Sequence, residues 1–369
     1  MGFLIYGTQP SPADILLRSS ADILLRSSVV EISRQKSRIV TANPEDISEV
    51  AKLLEEGGVA AFPTETVYGL GGIVSSGSAI ERIFTLKGRP PTNPLIVHLT
   101  SLDRADEVAL LDSPLIQDRL TRLQFLTPGP LTVVLPARID KTVSAVRAGG
   151  ITVAVRVPAH PIAQSLLSIV PTPIAAPSAN RSNYISPTKA SHVLKEFPDQ
   201  GLPIIDGGPC DIGLESTVLD LSVPKPLILR SGLISREALE TALKEAVEAP
   251  AIGGSSGTAG LARSPGLNRV HYAPRTPLFL KSQWESAIQS SGNIGWVSFS
   301  PATALSIPAV EVRILSPQGN AAEAASRLYA VLRELDDLDL DAIVVDELPD
   351  EGIGLAMLDR LYRASARFV

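Results

Sequence analysis

A chain of 369 residues with 44% hydrophobic content exceeds one typical domain and carries enough apolar matter for two cores. Its formal net charge of −6 excludes a generally basic nucleic-acid coat while leaving room for a local basic cleft. A single cysteine, Cys210, excludes a disulfide framework, a zinc knuckle and a CxxC pair, and the histidines (His98, His160, His192, His271) lack metal-ligand spacing.

In chain order, residues 1–37 come first and contain ADILLRSS twice in tandem, at 13–20 and 21–28. An octad repeated twice is neither a heptad nor a solenoid period, and Asp14, Asp22 and Glu31 weaken a transit-peptide reading. This stretch is read as a poorly ordered N-terminal extension.

A first domain is expected over 38–250. NPEDISEVAKLLEEGG predicts a helix capped by Asn43, with Pro44 behind the cap and Ile47, Val50, Ala51 and Leu54 on one face. VAAFP follows as a short buried strand. PTETVYGLGG reads as a loop in which glycines 69, 71 and 72 let backbone approach a ligand and Thr64, Thr66 and Tyr68 offer neutral hydrogen bonds. SAIERIFTL is a helix, stopped by Gly88 and two prolines in KGRPPTNPLIVH. That stretch sets Lys87, Arg89 and Asn93 in a basic turn before an apolar strand ending at His98, a layout suited to phosphate oxygens. ITVAVRVP places Thr152 and Arg156 four residues apart on one strand face. PIAAP leads into SANRSNYISPT, where Ser186 is read as a helix N-cap and so a natural anion site. LPIIDGG, ESTVLDL and PLILRSG read as strands with polar ends, and ISREALETALKEAVE closes the domain as a helix.

Residues 251–275 read as a linker, Gly/Ser-rich at first and then stiffer through SPGLNRVHYAP. The second domain, 276–369, alternates strands such as LDAIVVDEL with helices such as NAAEAASRLYAVLREL and GIGLAMLDRLYRASA. Alternation throughout predicts mainly parallel sheets with flanking helices and ligands beyond the strand ends. No run has the length of a membrane span and no secretory signal is visible, so a cytoplasmic location is expected.

PTETVYGLG, KGRPPTNPLIVH, ITVAVRVPAHP, APSANRSNYISPT, ESTVLDL and ILRSG, in this order and spacing, resemble the threonylcarbamoyl-AMP synthases, the YrdC/TsaC family. SPG…HYAP and GIGLAMLDRL resemble its longer form, and the likeness covers residues 39–369. The resemblance implies a YrdC-like twisted open sheet with flanking helices, plus a smaller Rossmann-like α/β C-terminal domain. It implies a nucleotidyl transfer in which L-threonine, bicarbonate and ATP, with Mg²⁺, give threonylcarbamoyl-AMP and pyrophosphate. The product would feed the tRNA threonylcarbamoyl transferase machinery. By matching position, Arg89, Asn93, Thr152, Ser178, Asn180, Ser186, Arg230 and Tyr272 are the expected ATP contacts. Thr66, His98, Arg156, Ala176 and Ser216 are the expected threonine contacts, with Lys87 and Arg89 as the catalytic cations near phosphate. No resident metal ligand is expected. The chain departs from the family at Asn268-Arg269, where the longer synthases often carry lysine and tyrosine. A rival reading is a double-stranded RNA-binding module without catalysis, its phosphates met weakly by a cleft of Lys87, Arg89, Arg156 and Arg230. The carbamoyl-transfer module of hydrogenase maturation proteins is disfavoured by the single cysteine.

Overall fold

The computed structural model describes residues 35–249, 270–287, 292–301 and 309–369. The duplicated octad and the first part of the linker, Asn268 and Arg269 included, lie outside the described residues.

The first sheet has ten strands, in the order β1-β8-β2-β3-β7-β4-β6-β5-β9-β10. They are β1 (Arg38–Val40), β2 (Ala60–Phe62), β3 (Gly69–Ile73), β4 (Ile96–His98), β5 (Leu131–Pro136), β6 (Thr152–Arg156), β7 (Ile174–Ala175), β8 (Pro203–Ile205), β9 (Thr217–Asp220) and β10 (Leu227–Arg230). Helices α1 (Pro44–Glu55), α2 (Gly77–Lys87), α3 (Pro114–Leu123), α4 (Pro161–Ile169), α5 (Ala190–Glu196) and α6 (Arg236–Leu243) cover it. One apolar layer places α1 and α4 against Ala60, Phe62, Ile174 and Ile205, and a larger one packs α2, α3, α5 and α6 against the opposite face.

The expectation of a mainly parallel sheet fails here. β2–β3, β3–β7, β7–β4, β6–β5 and β9–β10 all pair antiparallel. For two of these pairs the reason is connection length: residues 63–68 join β2 to β3 and 221–226 join β9 to β10, too few for the crossover a parallel neighbour requires. The second sheet does follow the expectation. β11 (Leu278–Leu280), β12 (Ile294–Ser298), β13 (Glu311–Ile314) and β14 (Ala342–Val345) are parallel in the order β11-β14-β12-β13. Helices α7 (Lys281–Ala287), α8 (Ala321–Asp336) and α9 (Ile353–Ser365) accompany it.

Two local expectations are corrected. Gly69–Ile73 is a strand, not a loop, and Gly71 within it serves close packing. A Cβ on Gly71 would stand 2.6 Å from the Phe62 ring and 2.8 Å from Ile174 Cγ2. Gly71→Ala is therefore expected to lower stability by about 1–3 kcal/mol through overpacking; an unmoved urea midpoint would refute this. Ser186 is not a helix cap. α5 begins at Ala190 behind Lys189, because the Pro187 carbonyl is taken by the Tyr68 amide at 2.9 Å and is lost to a helix starting at Ser186.

Candidate active site

The motifs converge on one cavity at the ends of the central strands. β4 and β6 run parallel with His98 opposite Arg156, and Gly69 bridges Ser178, so the KGR, PTET and SAN segments meet there. The cavity wall includes Arg89, His98, Arg156, Ala176, Ser178, Arg230 and Tyr272 of the expected set. Behind it, Thr66 bonds Thr64 (2.9 Å), Ser216 bonds Arg230 (3.1 Å) and Ser186 bonds the wall residue Glu215 (2.6 Å). Asn93 accepts from Arg89 through its carbonyl at 3.0 Å. Thr152, by contrast, begins β6 about 13 Å from Arg156 by strand rise and does not line the cavity.

Each cation is held by named partners. The Lys87 amine, at the end of α2, donates to the carbonyls of Ser178 and Asn180. Burial, helped by Arg89, pulls its pKa well below the usual lysine range. Lys87 thus tethers the SAN loop to the basic turn. Arg89 donates to the Pro94 carbonyl (2.7 Å) as well as to Asn93, and burial lowers its pKa to about 9. Arg230 donates from Nε and Nη2 to the Ser216 carbonyl and hydroxyl, both at 3.1 Å. Arg156 Nη2 meets Glu65 Oε1 at 2.7 Å, and Glu65 Oε2 accepts the Ala159 amide at 3.0 Å. His98 is buried, its Nδ1 3.1 Å from the Ile96 carbonyl and its ring edge-on to Phe62. Desolvation, with Arg156 beside it, pushes its pKa down to about 3, so the ring is neutral.

Among the described residues, seven buried side-chain polar atoms have no hydrogen-bond partner, and six belong to this region. Arg156 Nε, His271 Nδ1 and the Tyr272 hydroxyl belong to residues of the cavity wall, while Asn93 Oδ1, Asn180 Oδ1 and Ser182 Oγ lie in the basic turn and the SAN segment beside it. An unmade buried bond costs about 1–3 kcal/mol, so such a concentration marks a surface whose partners arrive with a ligand.

The carboxylate of the cavity wall, Glu215, and Glu65 behind it are both committed to arginines, Arg360 and Arg156. No group of three His, Cys, Asp or Glu able to hold a metal occurs among the described residues.

Sequence reasoning missed Glu65, Glu215 and His271, although all three stand inside the quoted motifs. It also missed Tyr329 and Arg360, which reach Glu215 from α8 and α9. A signal existed for Arg360: it falls three after Met357 and four after Ala356, on the buried face of its helix.

The comparisons agree across both domains. Residues 52–232 match a family described as "Telomere recombination" (Sua5_yciO_yrdC), and residues 234–366 match "Threonylcarbamoyl-AMP synthase, C-terminal domain". The threonylcarbamoyl-AMP synthase of Bacillus subtilis is 37% identical over 339 residues, covering 88% of this chain and 94% of that protein. The synthase of Pyrococcus abyssi is 38% identical over 331 residues, covering 85% and 92%. The crystal structure of P. abyssi Sua5 complexed with L-threonine superposes with a TM-score of 0.79 at 35% identity, over 89% of this chain and 97% of that one. A shorter synthase, from Psychromonas ingrahamii, matches 48% of this chain at 32% identity. Motifs, architecture and likeness coincide, and the chain belongs to the threonylcarbamoyl-AMP synthase family in its two-domain form.

Proposed function

We infer that the protein condenses L-threonine, bicarbonate and ATP into threonylcarbamoyl-AMP and pyrophosphate, and the carrying observation is the unpartnered polar atoms of Arg156, His271 and Tyr272 on the cavity wall. The threonine amine bonds to the bicarbonate carbon and water leaves. A carbamate oxygen then bonds to the α-phosphorus of ATP, and the bond from that phosphorus to the bridging oxygen breaks to release pyrophosphate. No covalent enzyme intermediate is required. Burial pushes the Cys210 thiol well above the usual range, so it supplies no nucleophile.

The chain's contribution is position and charge. Arg156, with one edge on Glu65 and Nε unspent, suits the threonine carboxylate. Thr66, His98 and Ser216 surround the same end. Arg89 and Arg230, with the SAN loop that Lys87 secures, suit the phosphates. Mg²⁺ comes as part of MgATP and offsets charge on the leaving pyrophosphate. The mixed anhydride formed is short-lived in water, and we assign its consumption to a transferase acting on adenosine in tRNA. Among the described residues no helix is long and apolar enough to cross a membrane.

The RNA-binding alternative fits the geometry poorly. Lys87, Arg89, Arg156 and Arg230 are each no more than 8% exposed and cannot meet the backbone of a duplex. Pyrophosphate release should need L-threonine, bicarbonate, ATP and Mg²⁺ together, falling to background when any one is omitted. Equal release without threonine would sink the synthase reading.

A further inference from the structure

The wall of the cavity contains a carboxylate that the reaction does not call for. Glu215 is 6% exposed, and its Oε1 accepts from the Ser186 hydroxyl at 2.6 Å. Its Oε2 accepts from the Tyr329 hydroxyl and from Arg360 Nε, both at 3.0 Å. Two of these three donors come from the second domain. Arg360, 1% exposed, also binds Asp359 (2.8 Å) and the Ser231 carbonyl (2.8 Å), and its guanidinium covers the Tyr272 ring at 5.3 Å. Tyr329 stacks on the same ring with centroids 5.9 Å apart. From α8, Arg333 donates to the carbonyls of Ile185 and Ser186 and pairs with Glu196 at 2.9 Å. The step holding Ser186 is thus gripped through its backbone and its side chain.

An uncompensated carboxylate on this wall would act twice against a triphosphate. It would repel the phosphates directly, and it would compete with them for Arg230, which lines the same cavity from β10. A guanidinium supplied from elsewhere prevents both.

We propose that Arg360 is a positioning residue of the nucleotide subsite: by pairing with Glu215 it fixes Ser186 and offsets the negative charge that Glu215 sets beside the phosphates. The second domain, which brings no residue to the chemistry in the reading above, thereby completes the charge balance of the first. This deepens the synthase reading and rests on the ATP contacts it assigns to Ser186 and Arg230.

The test separates positioning from mere stapling of two domains. Arg360→Met should raise the KM for ATP at least tenfold while the KM for threonine stays within twofold. Adding Glu215→Gln, which removes the charge left alone, should bring the ATP KM back to within about threefold of the wild type. A simple staple predicts equal shifts in both KM values and no recovery in the double variant, and either result overturns the proposal. Should Arg360→Met fail to fold, Arg360→Lys carries the test: a raised ATP KM with an unmoved threonine KM supports the idea, and equal movement refutes it. A wild-type protein without threonine-dependent pyrophosphate release would instead defeat the synthase reading, a separate outcome.

Discussion

Lowering the pH from 7 to 5 should remove about 4 kcal/mol of folding stability, because two buried histidines stay neutral in the fold. Desolvation holds His98 at about 3, aided by Arg156, and holds His271 at about 3, aided by Arg89, Lys87 and Arg230. In the unfolded chain both return to about 6.5. Their folded values are depressed, so the unfolded state binds protons first. Stability is full above pH ~6.5 and is lost as the pH falls toward 3, each residue contributing about 2 kcal/mol of the loss by pH 5. His192, only partly buried and also pushed to about 3 by burial and Arg333, adds a smaller, solvent-screened loss on top of that figure. Urea unfolding at a series of pH values checks this. His271→Gln should flatten the slope between pH 6.5 and 5, and a pH-independent midpoint in the wild type would refute the account.

Replacing Arg156 by alanine should raise the KM for L-threonine by roughly 10- to 150-fold, the range that corresponds to about 1.5–3 kcal/mol for a hydrogen bond to a charged group. The side chain has two duties. Its Nη2 restrains Glu65, and its unpartnered Nε awaits a carboxylate. Alanine ends both and leaves Glu65 as an unpaired anion beside the site where the threonine carboxylate sits. Arg156→Lys should recover little, since an ammonium cannot face Glu65 and a second carboxylate in one plane. The KM for ATP should move far less. Equal losses for both substrates would show that the cavity is not divided as assigned.

What the sequence made legible follows rules that act over a few residues. Asn43 caps α1 by accepting from the Asp46 amide at 2.7 Å, and Gly88 ends α2 in a left-handed conformation with φ of 58°. Both were readable from residue type alone. So was the gathering of the KGR, PTET and SAN segments, which rested on several motifs in a fixed order. Strand direction was not legible in the same way, because β3 looked like a glycine loop until Phe62 and Ile174 came to lie against it. Ser186 was placed at a helix start by its proline. Its true partner, Glu215, is 29 residues away and gains its meaning from Tyr329 and Arg360, more than a hundred residues further on. Burial of a charge pair between two domains leaves no local pattern beyond the helical spacing of Arg360.

One feature of the packing bears on how substrates enter. Val67, Ile185 and Leu214 belong by chain to the first domain, yet they sit in the apolar cluster of the second, with Leu278, Leu328 and Leu361. Val67 directly follows Thr66, and Ile185 directly precedes Ser186. The segments that border the cavity are therefore rooted in a core built mainly of α8, α9 and the second sheet. Such segments cannot fray singly on the nanosecond scale of free loops. Their excursions must lift part of that core, which moves cavity opening into the slower class of collective domain motion and ties the opening frequency to how firmly the second domain is folded.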